Sequence, residues 1–135
     1  MQRLKIDHIV KCMEITSYIQ IAAQLIVALG ILNVWLIRSR QATIYRGGSA
    51  QSLKSEFAAY GLPGAVFYLV GVLKVTAALA LVVGIFTPVL IAPAASIMLI
   101  LMLGAIAMHF KVHDAAQKYL PASIVLVLSL LILML

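Results

Sequence analysis

The stretch GLPGAVFYLVGVLKVTAALALVVGIFTPVLIAPAASIMLILMLGAIAMHFKVH, Gly61 to His113, decides the fold. It holds two apolar runs, Pro63 to Phe86 and Pro88 to Phe110, that meet at Thr87-Pro88. One formal charge, Lys74, lies between Pro63 and Phe110. A helix rises about 1.5 Å per residue, so roughly 20 apolar residues cross the hydrocarbon core of a bilayer. Each run is that long. The pair reads as a membrane-embedded helical hairpin with one cation near mid-depth.

Composition extends this reading to the whole chain. Of its 135 residues, 64% are hydrophobic and 10% charged, and the mean hydropathy is +1.14. A soluble domain is about a quarter charged; this chain lacks the charge to clothe a water-facing surface. An integral membrane protein with one domain of a few spans is expected. The net charge of +6 does not point to nucleic acid, because the Lys and Arg residues sit mostly in segments flanking the apolar runs, where lipid head groups would meet them. The single Cys12 excludes an internal disulfide and a CxxC redox pair. No small-residue cleavage site follows an apolar core near the start, so a retained first span is expected rather than a cleaved leader.

Upstream, Ile6, Ile9, Val10 and Met13 share one helical face, which predicts an amphipathic lead-in over Met1–Glu14 lying at the membrane interface. A first span follows, about Ile15 to Ile37, interrupted by Gln20, Gln24 and Asn33. Tyr18 and Trp35 stand near its ends, as interfacial aromatics do. Arg38 to Leu62 is the one sizeable hydrophilic segment. Leu53, Phe57 and Tyr60 there predict a short helix, with Lys54 and Glu56 on its outer side and the whole lying in the head-group plane. Downstream, Lys111 to Tyr119 reads as a polar connector and about Leu120 to Leu135 as a short fourth span. The fold class is therefore all-α, a four-helix transmembrane bundle with spans near 15–37, 63–86, 88–110 and 120–135.

Small residues that let helices approach closely in lipid recur at Ala80 and Gly84, then at Ala94, Ala95, Ser96, Gly104, Ala105 and Ala107. Counting Lys and Arg on each side of four spans gives six against three, which places the two longer connectors in the cytoplasm and both termini outside.

Lys74 is the sharpest chemical signal. Exposing it to lipid at mid-span would cost at least about 2.5 kcal/mol. It is expected to face the bundle interior as a polar clasp between helices or as a cation that contacts a ligand such as a quinone; a snorkelling, lipid-facing lysine is the remaining option. Counting from one membrane face puts Gln24 within a turn of its level, with Gln20 a turn away, so these glutamines are its expected partners. His109 and His113 form H-x-x-x-H, which on a continuous helix places both rings on one face, and Asp114 follows. An interfacial pair, with Asp114 capping or pairing with Lys111 or Lys118, is favoured over a metal site, and no metal is assigned. Arg46, Gly47, Gly48 and Lys54 could cradle an anion, although a basic interfacial loop explains them as well. No catalytic Ser/His/Asp set, P-loop or GxGxxG is present.

The run Gly71-Val72-Leu73-Lys74, Ala78-Leu79-Ala80-Leu81, Gly84, Pro88, Ala94-Ala95 and Met102-Leu103-Gly104-Ala105 with His109 resembles the DoxX-like family of small membrane proteins. The resemblance covers about Tyr60 onward, and the preceding RGG…EF..YGLP segment is similar to that of bacterial members. It implies a four-helix transmembrane bundle in the bacterial inner membrane. It implies no single activity: the family is named for a subunit of a thiosulfate:quinone oxidoreductase, and related members resemble chaperones or partners of other membrane proteins. Many members carry Glu where this chain has Lys74. The fold also resembles that of vitamin K epoxide reductases, whose cysteine pairs are missing here. The expected function is a non-catalytic accessory subunit or assembly partner, docking to other membrane proteins or to itself. The alternative is a quinone- or lipophile-binding component of an oxidoreductase system, with Lys74, Gln20, Gln24 and His109 as its buried polar cluster and no other cofactor.

Overall fold

A computed structural model describes all 135 residues. Helix α1 spans Gln2–Leu32 and runs on as a wider π-helical turn over Asn33–Ile37. A short α2, Leu53–Ala59, precedes α3, Gly64–Gly84. A 3₁₀ turn at Pro88–Leu90 leads into α4, Ile91–Lys111, and α5 covers Ala116–Met134. Four of these helices are long and apolar enough to cross a membrane. They form the expected all-α bundle, in which α1 packs on α3 and α5 while α4 packs on the same two.

Small side chains allow this packing. Ala23, Val27, Ala28 and Ile31 of α1 meet Ala77, Ala78 and Leu81 of α3 in the core, with Ala94, Ala95, Met98 and Met102 of α4 and Ile132 of α5. Without a hydrophobic drive between helices in lipid, close backbone approach and dispersion hold such a bundle. Only part of the expected small-residue set serves it: Ala94, Ala95 and Gly84 are buried, whereas Gly104 and Ala107 face outward.

The lead-in runs straight into the first span as one helix from Gln2, whose first 18 residues are all exposed. Two local expectations change. The fourth helix begins at Ala116, not near Leu120, because Gln117 and Lys118 continue it. Its 19 residues give a rise of about 28 Å, close to the thickness of the hydrocarbon core, so the span is not short. Finally, α2 does not lie apart in the head-group plane. Ser52 caps its first turn in a reciprocal bond with Ser55, and Leu53, Glu56, Phe57 and Tyr60 are buried against the bundle end. These residues lie at i, i+3, i+4 and i+7, so Glu56 belongs to the inward face, while Lys54 looks out with Ala58 and Ala59.

Candidate functional site

The buried ionisable residues Arg46, Glu56 and His109 gather at the end of the bundle that α2 covers. Arg46 is buried and bonded throughout. Its guanidinium pairs with Glu56 at 3.5 Å and donates to the carbonyls of Arg38 at 2.7 Å and Gln41 at 3.1 Å. It is therefore a structural tie within the 38–62 segment, not an open anion cradle. Gly47 must be glycine because a Cβ there would overlap the Tyr60 ring. Gly48 adopts φ +56°, the left-handed region, and its N–H donates to both Asp114 oxygens at 3.0 and 3.3 Å.

The α4–α5 connector supplies the other half. Helix α4 ends in a Schellman-type turn: the Asp114 N–H donates to the His109 carbonyl and the His113 N–H to that of Phe110. This turn requires a left-handed residue, and His113 takes it with φ 57°. The helical H-x-x-x-H face is consequently not formed: His113 is exposed, while His109 is buried. The same turn swings Asp114 back over the helix end, where its carboxylate meets His109 Nδ1 at 2.8 Å and Lys118 at 3.6 Å. Lys118 also donates to the Gly48 carbonyl, and Lys111 to the Tyr60 carbonyl at 2.8 Å. Connector and 38–62 segment are thus clipped together by charge-assisted bonds that sequence spacing does not show, while the expected Asp114–Lys118 pair forms within the connector.

Electrostatics follow from these contacts. Burial alone would push the Asp114 carboxyl up, but the His109 bond, the Gly48 N–H and the Lys118 charge together hold it below the usual carboxylate range. An ionised Asp114 requires Nδ1 of His109 to carry a proton, which leaves Nε2 facing Tyr60 and Glu56. The Tyr60 hydroxyl lies 3.3 Å from Nε2 and donates to Glu56 at 2.6 Å. Burial, followed by the Glu56 carboxylate, raises the phenol far above its ordinary value, so it stays protonated as a donor. The result is a contiguous polar cluster of Asp114, His109, Tyr60, Glu56 and Arg46, in which the Tyr60 proton is spent on Glu56 and the Nδ1 proton of His109 on Asp114. Glu56 and Tyr60 were not expected as site residues. Tyr60 shares the face of Leu53 and Phe57, and its spacing of four from Glu56 is the signal that could have placed the carboxylate inward as well.

Lys74 is buried beneath this cluster. Its ammonium lies 5.4 Å from the Trp35 ring centre, a cation–π arrangement, and no carboxylate approaches it closely enough to form an ion pair. It lines two cavities, of about 320 and 360 Å³, and in both Leu53, Glu56, Ala105 and His109 are fellow wall residues. The first extends between α1 and α5, past Gly30 and Val125; the second lies between α3 and α4, past Val70 and Gly104. A Cβ at either Gly30 or Gly104 would meet nothing within 4 Å, so both glycines border open space. Beside this region Trp35 stacks on Phe67 and both meet Phe57 edge to face, with ring centres 5.3 to 5.9 Å apart.

The glutamines are elsewhere. Gln24 donates to the Leu81 carbonyl at 2.8 Å and Gln20 to that of Ile132 at 3.0 Å. The expected Lys74–Gln24 clasp is not made, and register explains why. Trp35 lies against Gly71 and Gln24 against Gly84, so along these antiparallel helices the residue level with Lys74 is near Leu32. Gln24 lies about 12 Å further along α1. Of the residues expected to cluster, Lys74 and His109 are brought together, Gln20 and Gln24 are not. Lys54 is exposed, donating to the Tyr68 hydroxyl at 3.2 Å.

No curated protein and no solved structure matches the chain. A profile of the DoxX-like family matches residues 22–132, which takes in the last third of α1, all of α2, α3 and α4, nearly all of α5 and every residue of the polar cluster. On that match the chain belongs to the DoxX-like family, as an integral membrane protein.

Proposed function

We propose that this protein is a non-catalytic membrane component that holds a small lipophile bearing a carbonyl, of the quinone type, in the capped end of its bundle. The observation that carries the reading is Lys74: a buried ammonium, paired with no carboxylate, between two cavities. An ammonium has three donors, and in a low-dielectric interior an unused donor is costly. A ligand carbonyl would take one. The walls suit such a ligand: Met102 and Val125 line one cavity, Val70, Leu101 and Met108 the other, and each volume falls at the lower end of the range for small-molecule sites. His109 and Glu56 share those walls and would supply further polar contacts.

The single tryptophan makes the test direct, because Trp35 borders both Lys74 and the first cavity. Titrating a short-chain benzoquinone into detergent-solubilised protein should quench its fluorescence saturably. Lys74→Met should weaken the apparent affinity about tenfold, equivalent to about 1.4 kcal/mol. Gly104→Leu, which fills open space without a clash at Cβ, should reduce it too. Quenching that is the same in wild type and Lys74→Met sinks the proposal.

A role as accessory subunit or assembly partner is compatible with this and has its own support. Residues 2–19 of α1 are exposed, and Leu4, Ile6, Ile9 and Met13 among them lie outside the bundle core. Purification in mild detergent should bring down a second membrane protein or a homo-oligomer that is lost when Ile6, Ile9 and Met13 become Ser. A monomer that purifies alone would count against it. The host membrane in this reading is the bacterial inner membrane, with the 38–62 segment on its cytoplasmic side.

A further inference from the structure

A further concavity shares only Trp35 with the Lys74 cavities. It is a groove of about 740 Å³ on the outer side of the α1–α3 pair, open to the surroundings. Arg40 and Lys54 stand in its wall at the end where α1 finishes and α3 starts. Below them the wall is apolar, from Trp35 and Leu36 of the π-helical turn to Val72 and Val75 of α3. From Phe67 to Thr76 the α3 side covers nine steps, about 13 Å along the helix.

The groove therefore has two chemically different parts in a fixed order. No acidic residue lines it, so nothing in the chain neutralises its cations. Six Lys and Arg occupy this end of the bundle, and three are consumed internally: Arg46 by Glu56, Lys118 by Asp114 and Lys111 by the Tyr60 carbonyl. Arg38, Arg40 and Lys54 have no acidic partner. Lys54 is held at the groove by Tyr68, through the phenol oxygen and over the ring face at 5.2 Å. Its remaining donors are free. Leu36, Tyr68 and Val72 are each more than half exposed, on a helix surface that lies within the apolar spans.

We propose that this groove seats one anionic phospholipid, its phosphate between Arg40 and Lys54 and the upper part of an acyl chain along Leu36, Val72 and Val75. A soluble anion would use the cations and leave the apolar two-thirds empty; a neutral lipophile would do the reverse. A zwitterionic lipid would bring its own cation against Arg40 and Lys54. Only a lipid with net negative charge satisfies both parts. Each cation near a membrane surface favours an anionic lipid by about fivefold, so the two together favour it by about twentyfold or more.

Extraction of the full chain from vesicles of phosphatidylcholine with a minor fraction of phosphatidylglycerol, followed by native mass spectrometry, reads this out. Wild type should retain one phosphatidylglycerol, enriched about twentyfold over the vesicle ratio. The Arg40→Gln/Lys54→Gln pair should bring the retained ratio back to that of the vesicle, whereas Arg38→Gln should not. Val72→Trp, which fills the apolar part and spares both cations, should also lose the bound lipid. Lys74→Met should leave it in place, which separates this site from the quinone-type pocket. Retention at the vesicle ratio in wild type, a preference that survives the double substitution, or one that survives Val72→Trp would each overturn the proposal.

Discussion

Two buried polar stations sit among the same helices and are built differently. At the uncapped half, Gln24 and Gln20 each reach a backbone carbonyl of a neighbouring helix, and Gln24 is packed tightly against Leu81 and Gly84. At the capped half, Lys74 reaches no carboxylate and borders two cavities, under a lid of aromatic rings and a cluster of ionisable groups. The first arrangement is a clasp: one amide donor of each glutamine holds α1 to α3 or α5, while the Gln24 Oε1 is packed in without a partner. The second has unused donors and space beside them. Polar residues inside a membrane bundle are costly in either case, so the one that borders open space is where binding is to be sought.

Substitutions that attack the lid should show the largest effect. Glu56→Ala leaves the Arg46 guanidinium buried and unpaired and takes away the Tyr60 acceptor. Breaking one partner of a buried pair costs about 3–5 kcal/mol. Limited proteolysis should then cut within 38–62 while the four long helices stay protected. A cap that remains resistant would mean that the charged cluster is not what holds it.

The connection between lid and connector gives an intermediate effect with a pH signature. Asp114 is held below the usual carboxylate range, so its stabilisation is complete above the unfolded value of about 3.9 and is lost as pH falls through the folded one. Wild type should therefore lose thermal stability in acid below about pH 4. Asp114→Asn should start lower at neutral pH, by about 1.5–3 kcal/mol for the charge-assisted bonds removed, and show a flatter acid limb. Parallel curves for the two proteins would assign the acid sensitivity to another group.

The smallest effect is expected at the clasp. Gln24→Leu removes one side-chain bond to the Leu81 carbonyl, and such bonds in membrane bundles are worth about 0.6 kcal/mol. Thermal unfolding in detergent should shift slightly and quinone quenching of Trp35 should not change. A marked change in quenching would mean that the two halves are coupled and that the contrast between them is false.

Particular residues show how much of this was legible. The Pro63–Phe86 and Pro88–Phe110 runs declare their helices because transfer into lipid is a sum over residues that needs no knowledge of partners. The burial of Lys74 follows from the same sum. Glu56 is hard to place because a seven-residue helix gives little periodicity to read, and an acidic side chain argues for the outer face. Asp114 and His109 were visible as neighbours in sequence. The left-handed turn at His113 that brings them into contact was not, since histidine rarely takes that conformation.

The sequence by itself determined the medium, the number of crossings and the presence of one cation that lipid would not accept. Only the tertiary structure decided what that cation meets. The register of α1 against α3 depends on how Trp35 fits over Gly71 and how Gln24 fits over Gly84, and this shape matching leaves no trace in hydropathy or spacing. A register eight residues different would have paired Lys74 with Gln24; the one adopted places it under Trp35, in a space roofed by Glu56 and His109.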